Sequence, residues 1–262
     1  MQVLCEKIEV YGFRAALRGM RNPVESWATA DSKFWGDCPH FVSEFDIFFP
    51  ERAVLGPEDL KTACRLIALG TDHRKFMRQI QVWVDFIAPR AVWQEIDTYK
   101  VSTTRDSCST MHKLDHRDLV STDFQDEDIS ASVLSDLNEL GAICRETKSA
   151  EDLHHLKMHL PEGFRQRATY TMSYETCLNM YFARRKHRMK EWSGVNGICA
   201  MIAQLPYMDK FLAAAEAQRI EAAENKKLLG QLAEAARMWL GDRGPQLGAH
   251  DALRDAIKAV GK

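Results

Sequence analysis

The chain has no C-x-x-C pair, no long apolar run and almost no excess of either charge. Each shortage excludes a class. Seven cysteines are scattered singly through 262 residues, which rules out a zinc ribbon and a thioredoxin-like redox pair. Isolated thiols of this kind fit a reducing compartment. A membrane-spanning helix needs about 18 consecutive apolar residues, and no window reaches that. With 35 basic and 37 acidic residues the net charge is −2, so nothing pulls the whole chain toward a nucleic acid polymer or an anionic membrane. G-x-S-x-G, P-loop and G-x-G-x-x-G fingerprints are missing, which removes the usual serine-hydrolase, P-loop and Rossmann readings. The opening MQVLCEKIEV carries charge by Glu6 and has no apolar leader core. The expectation is a cytoplasmic protein.

What remains is ordinary globular composition, 45% hydrophobic and 27% charged. Residues 40–50 read as a strand running into Pro50, and 55–70 read as a helix. Pro57, Glu58 and Asp59 suit the first turn of that helix, and Gly70 suits its end. The clearest strand is 79–87: Ile80, Val82, Val84 and Phe86 face one way, with Gln79, Gln81, Trp83 and Asp85 opposite. Pro89 ends it and opens a helix to Tyr99, and 100–113 reads as a polar loop. Helices are expected over 129–146, 149–159, 172–190, 195–204 and 209–240, the last with Gly230 as a candidate break. Ser149 and Asp152 suggest a cap. A linker at 241–248 and a short helix at 249–260 follow. The division is 1–207 plus a helical extension, 208–262.

Three groups of residues could carry chemistry. The Ser/Thr-rich stretch 102–110 can cradle a phosphate with hydroxyls and free N–H groups, or it can satisfy its own turns. In ARRKHRMK (183–190) six of eight residues are basic, counting His187. Arg184, His187 and Arg188 share one helix face. Arg185 lies on the stripe of Leu178, Tyr181 and Phe182 and needs an anion there. That anion is either a carboxylate of this chain or a ligand phosphate. His155 and His159 stand one turn apart, as zinc ligands can, but without the Glu of H-E-x-x-H they read as surface histidines, and no metal site is assigned.

The 73–113 unit resembles the flavin-dependent thymidylate synthases (ThyX). That family has a His, an alternating strand closing on Ala-Pro, a helix, and the signature Arg-His-Arg-x7-Ser. Here HRKFMRQIQVWVDFIAPRAVWQEIDTYKVSTTRDSCSTMH follows the same plan. His73 falls on the flavin-contacting His, Ala88-Pro89 on the Ala-Pro, Gln94 and Ile96 on the segment before the signature, and Ser107 on the signature Ser. LNMYFARRKHRMKEW (178–192) is similar to the family's C-terminal helix, whose arginines meet flavin and nucleotide, and RGMRNPVESW (18–27) stands where its first basic loop would be. The likeness covers roughly 1–207 in order and spacing. The chain departs at the signature: Asp97-Thr98-Tyr99 replaces Arg-His-Arg, Ser107-Cys108-Ser109 replaces Ser-Gly-Arg, and Ala-Gln-Trp-Glu-Ile-Arg is absent after Arg188.

The resemblance implies an α+β fold, a ThyX-like antiparallel sheet wrapped by helices, and a homotetramer with sites between subunits. It implies FAD held by His73, Lys75, Tyr99, Arg184, Arg185 and Arg188. A pyrimidine deoxynucleotide would be met by Gln94, Arg105, Ser107 and Ser109. NADPH and methylenetetrahydrofolate are the co-substrates it suggests, and the reaction is dUMP to dTMP or a related one-carbon transfer. No catalytic residue is assigned, because reduced flavin carries that chemistry. The lost Arg-His-Arg motivates the alternative, a non-catalytic ThyX-fold protein that binds nucleotide or flavin, or acts in assembly. His73 has a second reading too, as a surface cap of the turn before the strand. A phosphate facing Asp97 at ~4 Å would cost roughly 4 kcal/mol at an effective dielectric of ~20. Asp97 is therefore expected to pair with Arg78, Lys100 or Arg105, or to point away. Tyr99 suits a flat ring, or it packs in the core at the helix end.

Overall fold

A computed structural model describes residues 3–35, 41–42, 45–110, 114–240 and 254–255. Parts of the expected 40–50 strand and of the 100–113 stretch, the 241–248 linker and most of the 249–260 helix lie outside these residues. Six strands form one sheet: β1 (Leu4–Tyr11), β2 (Phe41–Val42), β3 (Ile47–Phe48), β4 (Gln81–Pro89), β5 (Thr103–Ser107) and β6 (Arg165–Ser173). Their spatial order is β2-β3-β1-β4-β6-β5. Every pairing is antiparallel except β1 with β3.

Strand β4 anchors the sheet. Its alternation puts Val82, Val84, Phe86 and Ala88 in the core, as the period of two requires. It pairs with β6 without a break, from Gln81 opposite Ser173 to Pro89 opposite Arg165. Ile8 and Val10 of β1 and Ala168, Tyr170 and Met172 of β6 extend the same buried face. That face is covered by α1 (Phe13–Arg21), α2 (Pro57–Ala68), α3 (Arg90–Ile96) and further helices named below. Gly12 joins β1 to α1 with φ +99°, and a Cβ there would collide with the Gln79 carbonyl oxygen. Only glycine fits such a turn without strain.

Two strands differ from expectation. Part of the expected polar loop is β5, and β6 lies where the sequence suggests loop and the start of a helix. The edge strand Thr-Thr-Arg-Asp-Ser has no apolar alternation to read. Natural edge strands are often polar for that reason. Helix α6 (Tyr174–Arg184) is shorter than 172–190. The Ser173 hydroxyl caps it by accepting the Thr176 N–H at 3.2 Å, and a turn replaces its last residues. The other helices fall within a few residues of expectation: α4 (Ala131–Thr147), α5 (Ala150–His159), α8 (Ile198–Ala203) and α9 (Met208–Leu240). A short α7 (Lys190–Ser193) precedes α8. Gly230 does not interrupt α9.

Met208, Phe211, Leu212 and Ala215 seat the start of α9 in the main core. A second, smaller core joins Leu114, Leu119 and Phe124 to Leu137 and Cys144 of α4 and Leu156 of α5. This helical insertion, between β5 and β6, stands beside the end of the sheet where β6 begins.

Candidate functional site

Ser107 closes β5 opposite Ala168, and the Cys108 N–H still reaches the Arg167 carbonyl at 2.9 Å. Beyond it the chain crosses the start of β6, between sheet and insertion. A cleft of about 620 Å³ opens there. Ile87, Leu119 and Phe164 form its apolar wall; Arg117, Arg165 and Arg167 bring charge. A second lobe of about 380 Å³ adds Arg90, Lys157 and Ser107. Cys108, Ser109, Thr110 and Gln166 line both lobes. An apolar wall with a few polar groups is the usual make-up of a small-molecule site.

Most cations of the cleft already have partners. Arg117 holds Asp123 through two bonds, at 2.6 and 2.7 Å. Burial pushes the Asp123 carboxyl up, but the bonds from Arg117 and the Val120 N–H outweigh it, and the net shift is downward. Arg167 reaches Glu6 at 2.6 Å and Asp85 at 2.9 Å. Arg90 donates to the Leu160 carbonyl at 2.8 Å and stands 3.9 Å from Glu162. Lys157 has no carboxylate partner among the described residues. The second lobe is therefore the part of the cleft best able to take an added anion.

A different cluster forms where α3 meets the end of α6. Glu95 accepts from Trp192 Nε1 and lies 3.3 Å from Arg184 and 3.5 Å from His187 Nε2. Arg184 also donates to the Tyr99 hydroxyl at 3.3 Å and stands over the Trp192 ring. Tyr99 and Trp192 lie 6.4 Å apart. Asp97 is paired with Arg105 at 2.7 Å, one of the three partners expected from the sequence. The Arg105 guanidinium lies 4.0 Å over Trp93. Arg185 found a carboxylate of its own chain, Glu216 at 2.8 Å.

The other sequence candidates are dispersed. His73 and Lys75 are exposed on the turn before β4. Their neighbours Arg74 and Arg78 hold the buried Glu175. Gln94 is exposed and donates to Glu162 at 3.1 Å; Arg188 is exposed as well. Ser107 lies opposite Ala168 near the start of β6, while Glu175 lies just past its end. At ~3.3 Å per residue these two ends of β6 are on the order of 17 Å or more apart. The structure brings Ser107 and Ser109 together on the second lobe, and Tyr99 with Arg184; Tyr99 and Arg184 line neither lobe. The His155 and His159 ring centroids lie 4.3 Å apart with the rings tilted by 53°, and His159 Nδ1 meets the His155 carbonyl at 2.9 Å.

The sequence reading missed Glu95, Trp192, Lys157 and Gln166. Arg165 and Arg167 alternate on one face of β6, a signal that reading β6 as a strand would have exposed. Glu95 and Trp192 are 97 residues apart and meet only through tertiary packing.

No protein family and no curated protein matches the chain. Among solved structures it is similar to the flavin-dependent thymidylate synthase ThyX from Helicobacter pylori complexed with FAD and dUMP. The TM-score is 0.57 at 15% identity, covering 81% of this chain and 97% of that one. A second structure of the Helicobacter pylori enzyme with FAD and dUMP gives 0.58 at 16% identity, covering 82% and 99%. The chain has a ThyX-like α+β fold. Among the described residues no helix is long and apolar enough to cross a membrane.

Proposed function

We propose that the chain is a ThyX-like flavoprotein that takes a pyrimidine deoxynucleotide and transfers a one-carbon unit to it. The observation that carries this reading is the two-lobed cleft at Ser107–Thr110, on a fold shared with enzymes solved with FAD and dUMP. The Ser107, Ser109 and Thr110 hydroxyls, Lys157 and Arg90 would hold the phosphate in the second lobe. Phe164 and Ile87 would shield the base from water, and Gln166, a donor and an acceptor at once, would read its edge.

A second set of residues suits a flavin nucleotide in kind: Tyr99 and Trp192 supply rings, and Lys75 and Arg188 supply exposed cations. None of His73, Lys75, Tyr99, Arg184, Arg185 or Arg188 lines either lobe of the cleft. This reading therefore needs a homotetramer that sets one chain's flavin residues against another chain's cleft. Bound there, reduced flavin would supply hydride, with NADPH as reductant and methylenetetrahydrofolate as carbon source. The protein would orient the nucleotide and exclude water.

A second reading has its own support. Arg105 and Arg184 are held by Asp97 and Glu95, as befits a ThyX-fold binding protein that has given up the reaction. An absorption spectrum of purified protein, followed by tritium release from C5 of dUMP, tests both. Flavin bands with flavin-dependent release support the enzyme. Colourless protein that takes up no flavin on titration overturns it.

A further inference from the structure

A groove of about 700 Å³ lies between residues 49–54 and the turn joining α8 to α9. It shares no residue with the cleft described above, and nothing about it depends on the flavoprotein reading. Its size falls in the range of small-molecule sites, ~300–1,000 Å³. Trp35, Phe49 and Tyr207 bring three aromatic rings to its lining, and Val54 and Leu205 add apolar surface. Trp35 is 64% exposed and Val54 52%, so both offer apolar surface to a molecule in the groove.

The walls are held in place. The Tyr207 hydroxyl donates to the Ala53 carbonyl at 2.9 Å and accepts the Leu55 N–H at 3.1 Å. Tyr207 and Arg52, both in the lining, have φ of +60° and +40°. Bulky residues seldom adopt that region, and such strain gathers at binding sites. The charge is unbalanced. Asp209 is offset by Lys210 at 3.2 Å, whereas Arg52 has no carboxylate partner among the described residues.

We propose that this groove binds a small planar aromatic anion: a ring system bearing one carboxylate or phosphate. The exposed Trp35 ring takes the flat body, over a floor that Phe49 closes from the core side. The Arg52 fork takes the anionic group, and Gln204 meets polar atoms on the ring edge.

The test is fluorescence titration with anilinonaphthalenesulfonate and with neutral N-phenylnaphthylamine. It compares wild type, Arg52→Gln and Val54→Trp, each checked for a native melting curve. Arg52→Gln should weaken the anionic dye by about tenfold or more and leave the neutral dye unchanged. Val54→Trp should block both. Displacement of the anionic dye by indole carboxylate assigns an aryl carboxylate, and by adenosine monophosphate a nucleotide. Displacement by neither overturns the proposal, as does unchanged dye affinity in Arg52→Gln. A wild type that binds neither dye and forms a dimer split by Val54→Trp gives the groove to a second copy, and also overturns it.

Discussion

Asp59→Asn is the sharpest single test of the packing. Asp59 and Arg21 are almost fully buried, with side chains 2% and 3% exposed, and their contact is 2.6 Å. Asp59 also accepts the Asp31 and Ser32 N–H groups, at 3.1 and 2.9 Å. Arg21 goes on to bond Ser26 and Thr29. One ion pair thus ties α2 to α1 and to the 26–32 segment. An Asn keeps the shape but leaves Arg21 as a buried cation with no counter-charge, a change that costs about 3–5 kcal/mol. At ~2–4 °C per kcal/mol for a domain of this size, the melting midpoint should fall roughly 6–20 °C.

The loss should also depend on pH. Burial pushes the Asp59 carboxyl up, but hydrogen bonds from Ser32, Arg21 and Asp31 outweigh it and leave it below its ordinary value. A group lowered by folding stabilises fully above its unfolded pKa, ~3.9, and loses that contribution as pH falls through its folded pKa. The gap between wild type and Asp59→Asn should therefore be widest near neutral pH and narrow in acid. Denaturant melts at both pH values, repeated in an Arg21→Met background, complete the cycle. There Asp59→Asn should cost less than about half as much. A loss below ~1 kcal/mol at neutral pH, or equal losses in both backgrounds, would refute the argument.

Three further outcomes follow from the site. Lys157→Ala should weaken deoxynucleotide monophosphate binding roughly tenfold and leave the free nucleoside unaffected, which calorimetry with both ligands would read. Asp97→Asn frees Arg105, but neither residue lines the cleft, so dUMP affinity should stay within about twofold of wild type, which the same calorimetry would read. Because that pair is partly exposed, stability should change by less than ~1 kcal/mol. Alkylation mapped by mass spectrometry should reach Cys108 well before Cys5 or Cys199. Cys108 is exposed in the cleft, while burial pushes Cys5 and Cys199 up to about 12, away from the reactive thiolate. Saturating nucleotide should slow the reaction at Cys108 alone.

How much of this is legible in the sequence depends on where the signal lies. Strand β4 is legible because one side of it is buried along its whole length, and its side chains record that alternation. Helix α9 is legible from propensity alone. Strand β5 is not, because its pairing is a backbone matter and its side chains answer to solvent. Strand β6 is hidden for a subtler reason. Its first three residues, Arg165-Gln166-Arg167, line the cleft, and the core shows mainly through Ala168, Tyr170 and Met172. Ser107 and Ser109, two residues apart at the end of β5, both line the second lobe of the cleft. The resemblance could not foresee Glu95, whose partners Arg184, His187 and Trp192 reach it from the far end of the chain.

The pairing pattern has one consequence for the chemistry. Arg105, Arg117, Arg167, Arg184 and Arg185 each hold a carboxylate of this chain. An anion brought to any of them meets that carboxylate as well, and like charges at ~4 Å repel by roughly 4 kcal/mol at an effective dielectric of ~20. A ligand phosphate either displaces the internal carboxylate or goes where none stands. Lys157, among the hydroxyls of the second lobe, is such a place in the cleft, and Lys75 and Arg188 are such places outside it. Lys157, the cation of the second lobe with no carboxylate partner among the described residues, comes from α5 of the helical insertion. The insertion forms one wall of the cleft, and Leu156, next to Lys157, is seated in its small separate core.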